Sequence, residues 1–141
     1  MPLFEKHLFI KKSKLPRAGY GLFVNTDIPK GKRVVEYKGK LRLWRHAKYL
    51  DGHNTYLMKI SRHAVIDAQF STRTFGRYAN DADGLAKMPG LKNNCEYIND
   101  GTKCYLESLR TIRKGEEILV GYGKEFWALQ KKIKAIKKKT G

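Results

Sequence analysis

The chain has 141 residues, 41% of them hydrophobic and 30% charged, and its 30 Lys+Arg against 13 Asp+Glu give a net charge of +17. That length suits one domain with a real core and excludes a second of similar size. No apolar run approaches the roughly 20 residues that span a bilayer, and the start lacks the long apolar stretch of a secretory leader, so the chain is expected to act inside a cell and without a membrane.

Two cysteines, Cys95 and Cys104, are too few for a disulfide framework or a four-ligand zinc site. They suit either a pair across a hairpin or two buried thiols, and composition favours the thiols. The four histidines (His7, His46, His53, His63) stand at no metal-ligand spacing, and no metal is expected.

In chain order, Phe9-Ile10 and Leu22-Phe23-Val24 have the short apolar character of strands, separated by a turn region from Pro16 to Gly21. A turn at Ile28–Gly31 precedes a strand at Arg33–Tyr37, and Leu41–Leu50 has the composition of one short helix. After a turn at Asp51–Asn54, strands are expected at Thr55–Ile60 and His63–Ala68. The Asp81–Asn94 stretch reads as a surface loop. Cys95–Ile98 and Cys104–Glu107 then read as a hairpin turning on Asp100-Gly101. A turn at Arg113–Glu116 leads into the strand Ile118–Val120. Many short strands and little helix indicate a mostly β domain. Beyond it, Phe126, Leu129, Ile133 and Ile136 recur as one helical stripe among lysines. The division expected is a β domain over residues 1–128 and a basic C-terminal helix or tail over 129–141.

Three segments stand out: Arg17-Ala18-Gly19-Tyr20-Gly21-Leu22-Phe23, Gly76-Arg77-Tyr78-Ala79-Asn80-Asp81-Ala82, and Gly115-Glu116-Glu117-Ile118-Leu119-Val120-Gly121-Tyr122-Gly123. Singly each is ordinary. In this order, with Glu36-Tyr37-Lys38-Gly39, Val65-Ile66-Asp67-Ala68 and Asn94-Cys95-Glu96-Tyr97 between them, the chain resembles the SET-domain family of protein lysine methyltransferases over about residues 8 to 127. The resemblance implies small curved sheets around a pseudoknot, in which the C-terminal segment passes through a loop near Asn80. Such threading is an exception to unknotted connectivity. It also implies transfer of a methyl group from S-adenosylmethionine to a lysine side chain of a protein substrate.

That chemistry needs a neutral amine beside an activated methyl carbon. Free lysine has a pKa of about 10.4, and an apolar aromatic channel disfavours its ammonium form, so tyrosines are expected at the centre. The resemblance implies that Tyr122 is the catalytic tyrosine and that Tyr37 and Tyr97 wall the lysine channel. Tyr56 and Val120 fall where the family lines the substrate path. For the cofactor, Ala18, Gly19, Tyr20 and Gly21 match the family's Gly-x-Gly segment, where glycine permits positive φ and close backbone approach. Asn54, Arg77, Tyr78, Asn80 and Asp81 match further cofactor-contacting positions, and Trp127 stands where an aromatic could stack on adenine.

This chain departs from the family pattern at two of these places. Asp81 replaces the family's His and could either pair with the cofactor's ammonium or weaken the site, while Val120 replaces an aromatic two residues before Tyr122. The C-terminal motif also resembles PR domains, a branch with weak or inactive members, so a nucleic-acid-binding or chromatin-type module with little turnover is the alternative. The charge favours contact with polyanions. The tail from Lys131 to Gly141 alone carries six lysines and no acid. The expected substrates are therefore histone-like or other basic proteins associated with nucleic acid. The residues leave oligomeric state open.

Overall fold

The computed structural model describes residues 3–47, 57–61, 63–69, 71, 73–83 and 88–122. The expected C-terminal helix, Asn54, Tyr56 and Trp127 lie outside these residues. Among the described residues no helix is long and apolar enough to cross a membrane.

Among the described residues nine short strands form three small antiparallel sheets. The first joins β1 (Leu8–Lys12), β2 (Tyr20–Val24) and β9 (Glu117–Ile118) in the order β1-β2-β9. The second joins β3 (Arg33–Glu36), β8 (Lys103–Ser108) and β7 (Cys95–Asp100) in the order β3-β8-β7. The third joins β4 (Lys40–Leu43), β6 (Ala64–Asp67) and β5 (Leu57–Lys59) in the order β4-β6-β5. Inward residues of these strands and the bridge Ile28↔Ile112 meet in one core, where Leu22, Val24, Ile28, Val34, Leu106, Ile112, Ile118 and Val120 are fully enclosed.

Two local expectations are corrected. Leu41–Leu50 is not one helix: Lys40–Leu43 pairs with β6 as β4, and helix begins only at Trp44, as Trp44–Ala47 (α1), with residues 48–50 outside the described ones. Leu41 and Leu43 lie opposite Ile66 and Ala64, and that ladder outweighs the helical composition of the segment. The β7–β8 hairpin turns one residue later than expected, because Asp100 still pairs with Lys103. The two central residues are Gly101 and Thr102, and Gly101 has φ +63. Glycine at the first central position, followed by a residue of ordinary φ, is the type II′ arrangement that matches strand twist. Cys95 lies opposite Ser108, and Cys104 opposite Asn99. The two cysteines are not partners across the hairpin, and both are buried free thiols.

The chain closes on itself through residues 117–122. Leu119 bridges Asn80 in parallel on one edge, and Val120 bridges Cys95 in parallel on the other. Val120 N donates to Asn80 O (2.8 Å), while Leu119 O accepts from the amides of Asn94 (2.9 Å) and Cys95 (3.0 Å). Asn94 locks this crossing with its side chain, since its Oδ1 accepts from Leu119 N (2.9 Å) and its Nδ2 donates to Glu117 O (2.9 Å). At 1% exposure its amide has no water to bond, and satisfying both ends is what makes its burial affordable. Residues 119–120, just past β9, thus run between Asn80 and Cys95.

Candidate active site

The crossing brings three tyrosines together. Tyr37 follows β3 and donates its amide to Cys104 O (2.8 Å). Tyr97 lies on β7, and Tyr122 ends the crossing segment. The Tyr37 and Tyr97 rings meet edge to face with centroids 6.0 Å apart. The Tyr97 and Tyr122 rings stack at 6.3 Å with an interplanar angle of 27°. These are ordinary separations for attractive ring pairs. Gly76 makes room for the arrangement: a Cβ there would lie 2.7 Å from Glu36 O and 2.9 Å from Tyr37 Cα. Only a residue without a side chain lets the 76–78 turn lie against the backbone of Tyr37.

Burial pushes the Tyr97 phenol well above its usual value, and the neighbouring Tyr122, Tyr37, Cys104 and Asp81 push in the same direction. Folded Tyr97 therefore keeps its proton where the unfolded chain would lose it. The stability this residue contributes is complete below about pH 10 and is lost as pH rises through its folded value. Tyr97→Phe is expected to flatten the alkaline side of a melting-temperature profile while leaving the neutral region little changed. A profile that still falls as steeply above pH 10 would place the alkaline transition elsewhere. Burial also raises the Cys95 thiol to about 12 and the Cys104 thiol to about 11, so both remain protonated and inert.

Tyr122 is held from both ends by one tripeptide. Its hydroxyl donates to Ala79 O, and its amide donates to Asp81 Oδ2 (2.8 Å). Asn80, between them, donates its side-chain Nδ2 to Tyr20 O (3.0 Å). The segments carrying Tyr122 and Gly19-Tyr20-Gly21, about one hundred positions apart, are thereby joined through a single asparagine.

The turn carrying Ala18, Gly19, Tyr20 and Gly21 is shaped by positive φ at Arg17 (+62) and Gly19 (+71) and by Ser13 N donating to Gly19 O (2.8 Å). Tyr20 is 67% exposed, and a Cβ on Gly19 would meet nothing within 4 Å, so this turn faces open space. Gly21 has no such freedom: a Cβ there would fall on the Glu117 carboxylate.

Glu117 itself carried no expectation from the sequence. It is 4% exposed, and its Oε2 accepts from Ser13 Oγ (2.6 Å) while its Oε1 accepts from Lys14 N (2.8 Å). Its sequence neighbour Glu116 pairs instead with Arg110 (3.0 Å) at a more open position. The available signal was the position of Glu117 immediately before the apolar run Ile118–Val120.

Other expected residues fall as follows. Arg77 uses Nη1 to donate to Ala68 O (2.8 Å) and Gln69 O (2.7 Å), holding the end of β6, and its guanidinium lies 5.3 Å from the Tyr78 ring centre. Asp81 is 5% exposed, and its carboxylate also accepts from Asp83 N (2.8 Å) and Asn93 Nδ2 (2.9 Å). Val120 is fully enclosed in the core that Tyr97 and Tyr122 border. Among the described residues no group of three His, Cys, Asp or Glu could hold a metal ion.

Comparison with known proteins agrees with this architecture. The chain is 31% identical over 140 residues to Histone-lysine N-methyltransferase EZH2 of Chaetomium thermophilum, an alignment covering 91% of this chain and 9% of that protein. It is 30% identical to Putative histone-lysine N-methyltransferase ASHH4 of Arabidopsis thaliana, over 86% of this chain and 35% of the relative. It is 29% identical to N-lysine methyltransferase KMT5A of Xenopus tropicalis, over 81% and 36%. This chain therefore spans well under half the length of each of these relatives. A solved structure of a humanized mutant of the Chaetomium thermophilum Polycomb Repressive Complex 2 bound to the inhibitor GSK126 shares the fold, with a TM-score of 0.66 and 24% identity over 88% of this chain and 16% of that one. The SET domain family model matches residues 19–123. With the crossing of residues 117–122 between Asn80 and Cys95 and the mostly β architecture, that match establishes that the chain belongs to the SET domain family.

Proposed function

We propose that this protein is an S-adenosylmethionine-dependent protein-lysine N-methyltransferase acting on histone-like or other nucleic-acid-associated basic proteins. The observation that carries the reading is the convergence of Tyr37, Tyr97 and Tyr122 at the chain crossing, one residue's reach from the open 18–21 turn. The relatives, named as histone-lysine and N-lysine methyltransferases, support it.

The residues present fit the methyl donor. The Asn80 amide oxygen accepts nothing among the described residues, and it stands beside a turn whose Gly19 opens onto free space, as a polar, amine-bearing ligand requires. Ala18, Gly19, Tyr20, Gly21 and Asn80 would hold the donor, which supplies a methyl group on a sulfonium already activated for transfer to a neutral amine. Tyr37 and Tyr97 wall off water and disfavour the substrate's ammonium form. Tyr122 commits its hydroxyl proton to Ala79 O, so its oxygen serves as an acceptor at a fixed place.

Charge supports the substrate class. Lys11, Lys12, Lys14 and Arg17 are all exposed on β1 and its turn. Such a surface repels a free basic peptide and attracts the nucleic acid to which a basic protein is bound. The test is methyl transfer onto free histones, nucleosomes and a ribosomal fraction at two salt concentrations, with products mapped by mass spectrometry. Monomethyl-lysine should dominate because three tyrosines crowd one amine. Nucleic-acid-bound substrate should react faster, with an advantage that shrinks as salt rises. Donor binding by calorimetry without any transfer would favour the non-enzymatic module instead.

A further inference from the structure

We infer that Asp81, with Asn93, is a positioning residue that clamps the backbone of Tyr122, rather than a group that touches the methyl donor. The inference rests on the methyltransferase reading for its consequence, and on geometry alone for the clamp.

The Asp81 carboxylate is buried, and its bonds run to the protein. Its Oδ2 accepts the Tyr122 amide (2.8 Å), and its Oδ1 accepts Asn93 Nδ2 (2.9 Å) and Asp83 N (2.8 Å). Asn93 completes the clip by accepting Ala82 N at its Oδ1 (2.8 Å). A charged acceptor makes each such bond stronger than a neutral one would be. A carboxylate already holding three partly buried donors is poorly placed to release them for a ligand.

The location gives the clip its function. Residues 81 and 93 are the two ends of the stretch past which the 117–122 segment runs, and Asn93 also lies against Gly121, where a Cβ would meet its Nδ2 at 3.5 Å. Tying Asp81 to Asn93 closes that passage. Tying Asp81 to the Tyr122 amide fixes where the chain leaves it. With the phenol anchored on Ala79 O, Tyr122 is fixed at backbone and hydroxyl by residues two positions apart. Loss of the Asp81 anchor lets the ring pivot about the Ala79 one, and small misplacements at a reacting centre cost rate more than affinity. The acid in place of the family's His is, on this account, a substitute fastening for the tyrosine. Its charge also bears on the Tyr97 phenol, as its proximity to the ring trio requires.

The experiment compares wild type, Asp81→Ala, Asp81→Asn and Asn93→Ala in two readouts: amide hydrogen exchange at Tyr122 by NMR, and steady-state kinetics on a lysine peptide. Asp81→Ala should speed exchange at Tyr122 by about 10-fold or more. It should lower kcat about 10- to 100-fold while the KM for the methyl donor stays within about 3-fold. Asp81→Asn keeps a carbonyl oxygen for the Tyr122 amide but turns an NH2 donor toward Asn93 Nδ2 and Asp83 N, so it should restore part of both, more than Asp81→Ala does. Should Asp81→Ala fail to fold, Asn93→Ala decides by the same pair of readouts, with faster exchange and a lower kcat expected. Unchanged exchange at Tyr122 would overturn the clamp. A donor KM that rises with kcat held would make Asp81 a donor-binding residue and overturn it equally. If wild type transfers no methyl group, the methyltransferase reading fails, while the exchange result still decides the clamp.

Discussion

Tyr122→Phe is expected to fold and to lose methyl transfer by about two orders of magnitude, the scale of removing one positioned polar group from a reacting centre. The ring contributes packing against Tyr97, which Phe retains. What is lost is the hydroxyl, whose proton goes to Ala79 O and whose oxygen the chemistry would use. One neutral hydrogen bond is worth about 1 kcal/mol of stability, so the melting temperature should drop by only a few degrees. The informative measurement is therefore kcat on folded mutant, with donor affinity read separately by calorimetry. Turnover within a factor of two of wild type would remove the hydroxyl from the mechanism.

Glu117→Ala is expected to cost the most stability. The substitution strands two donors, the Ser13 hydroxyl and the Lys14 amide, that now share one buried carboxylate. Losing a charged acceptor with the Ser13 hydroxyl left enclosed costs about 2–4 kcal/mol, a large part of a domain's total. It also releases the turn that carries Gly19 and Tyr20, so donor affinity should fall about 10-fold as the binding backbone loses its fixed shape. Glu117→Gln should recover much of both, because its carbonyl can take the Lys14 amide while its amino group donates to Ser13 Oγ. Thermal unfolding and donor calorimetry on the two variants check this. Equal losses for Ala and Gln would mean that the charge itself, and not the pattern of acceptors, holds the turn.

Some of this molecule was legible without coordinates. Strand positions followed from short apolar runs between glycine and proline turns, because alternation and turn chemistry are local. The motif order Gly19-Tyr20-Gly21, Arg77–Asp81 and Glu117–Tyr122 gave the family, and the match over residues 19–123 agrees with it. Where local and tertiary preferences competed, the sequence misled. Leu41–Leu43 has helical composition and yet forms a strand, because β6 offers it a ladder that an isolated segment cannot feel.

Tertiary structure alone decided which polar residues are fastened to which. Glu116 and Glu117 are chemically identical neighbours, and only the crossing of β9 beside β2 sends one to an open ion pair and the other into a buried clasp with Ser13. Asp81 could have met a ligand's ammonium or the protein's own backbone. Its proximity to the Tyr122 amide exists only after residues 119–120 have passed between Asn80 and Cys95, a contact across forty-one positions that no local pattern encodes. The sequence determined which side chains were available for the chemistry, because residue type and local turns are written residue by residue. Their mutual orientation was decided by threading residues 119–120 between Asn80 and Cys95, which is a property of the whole chain.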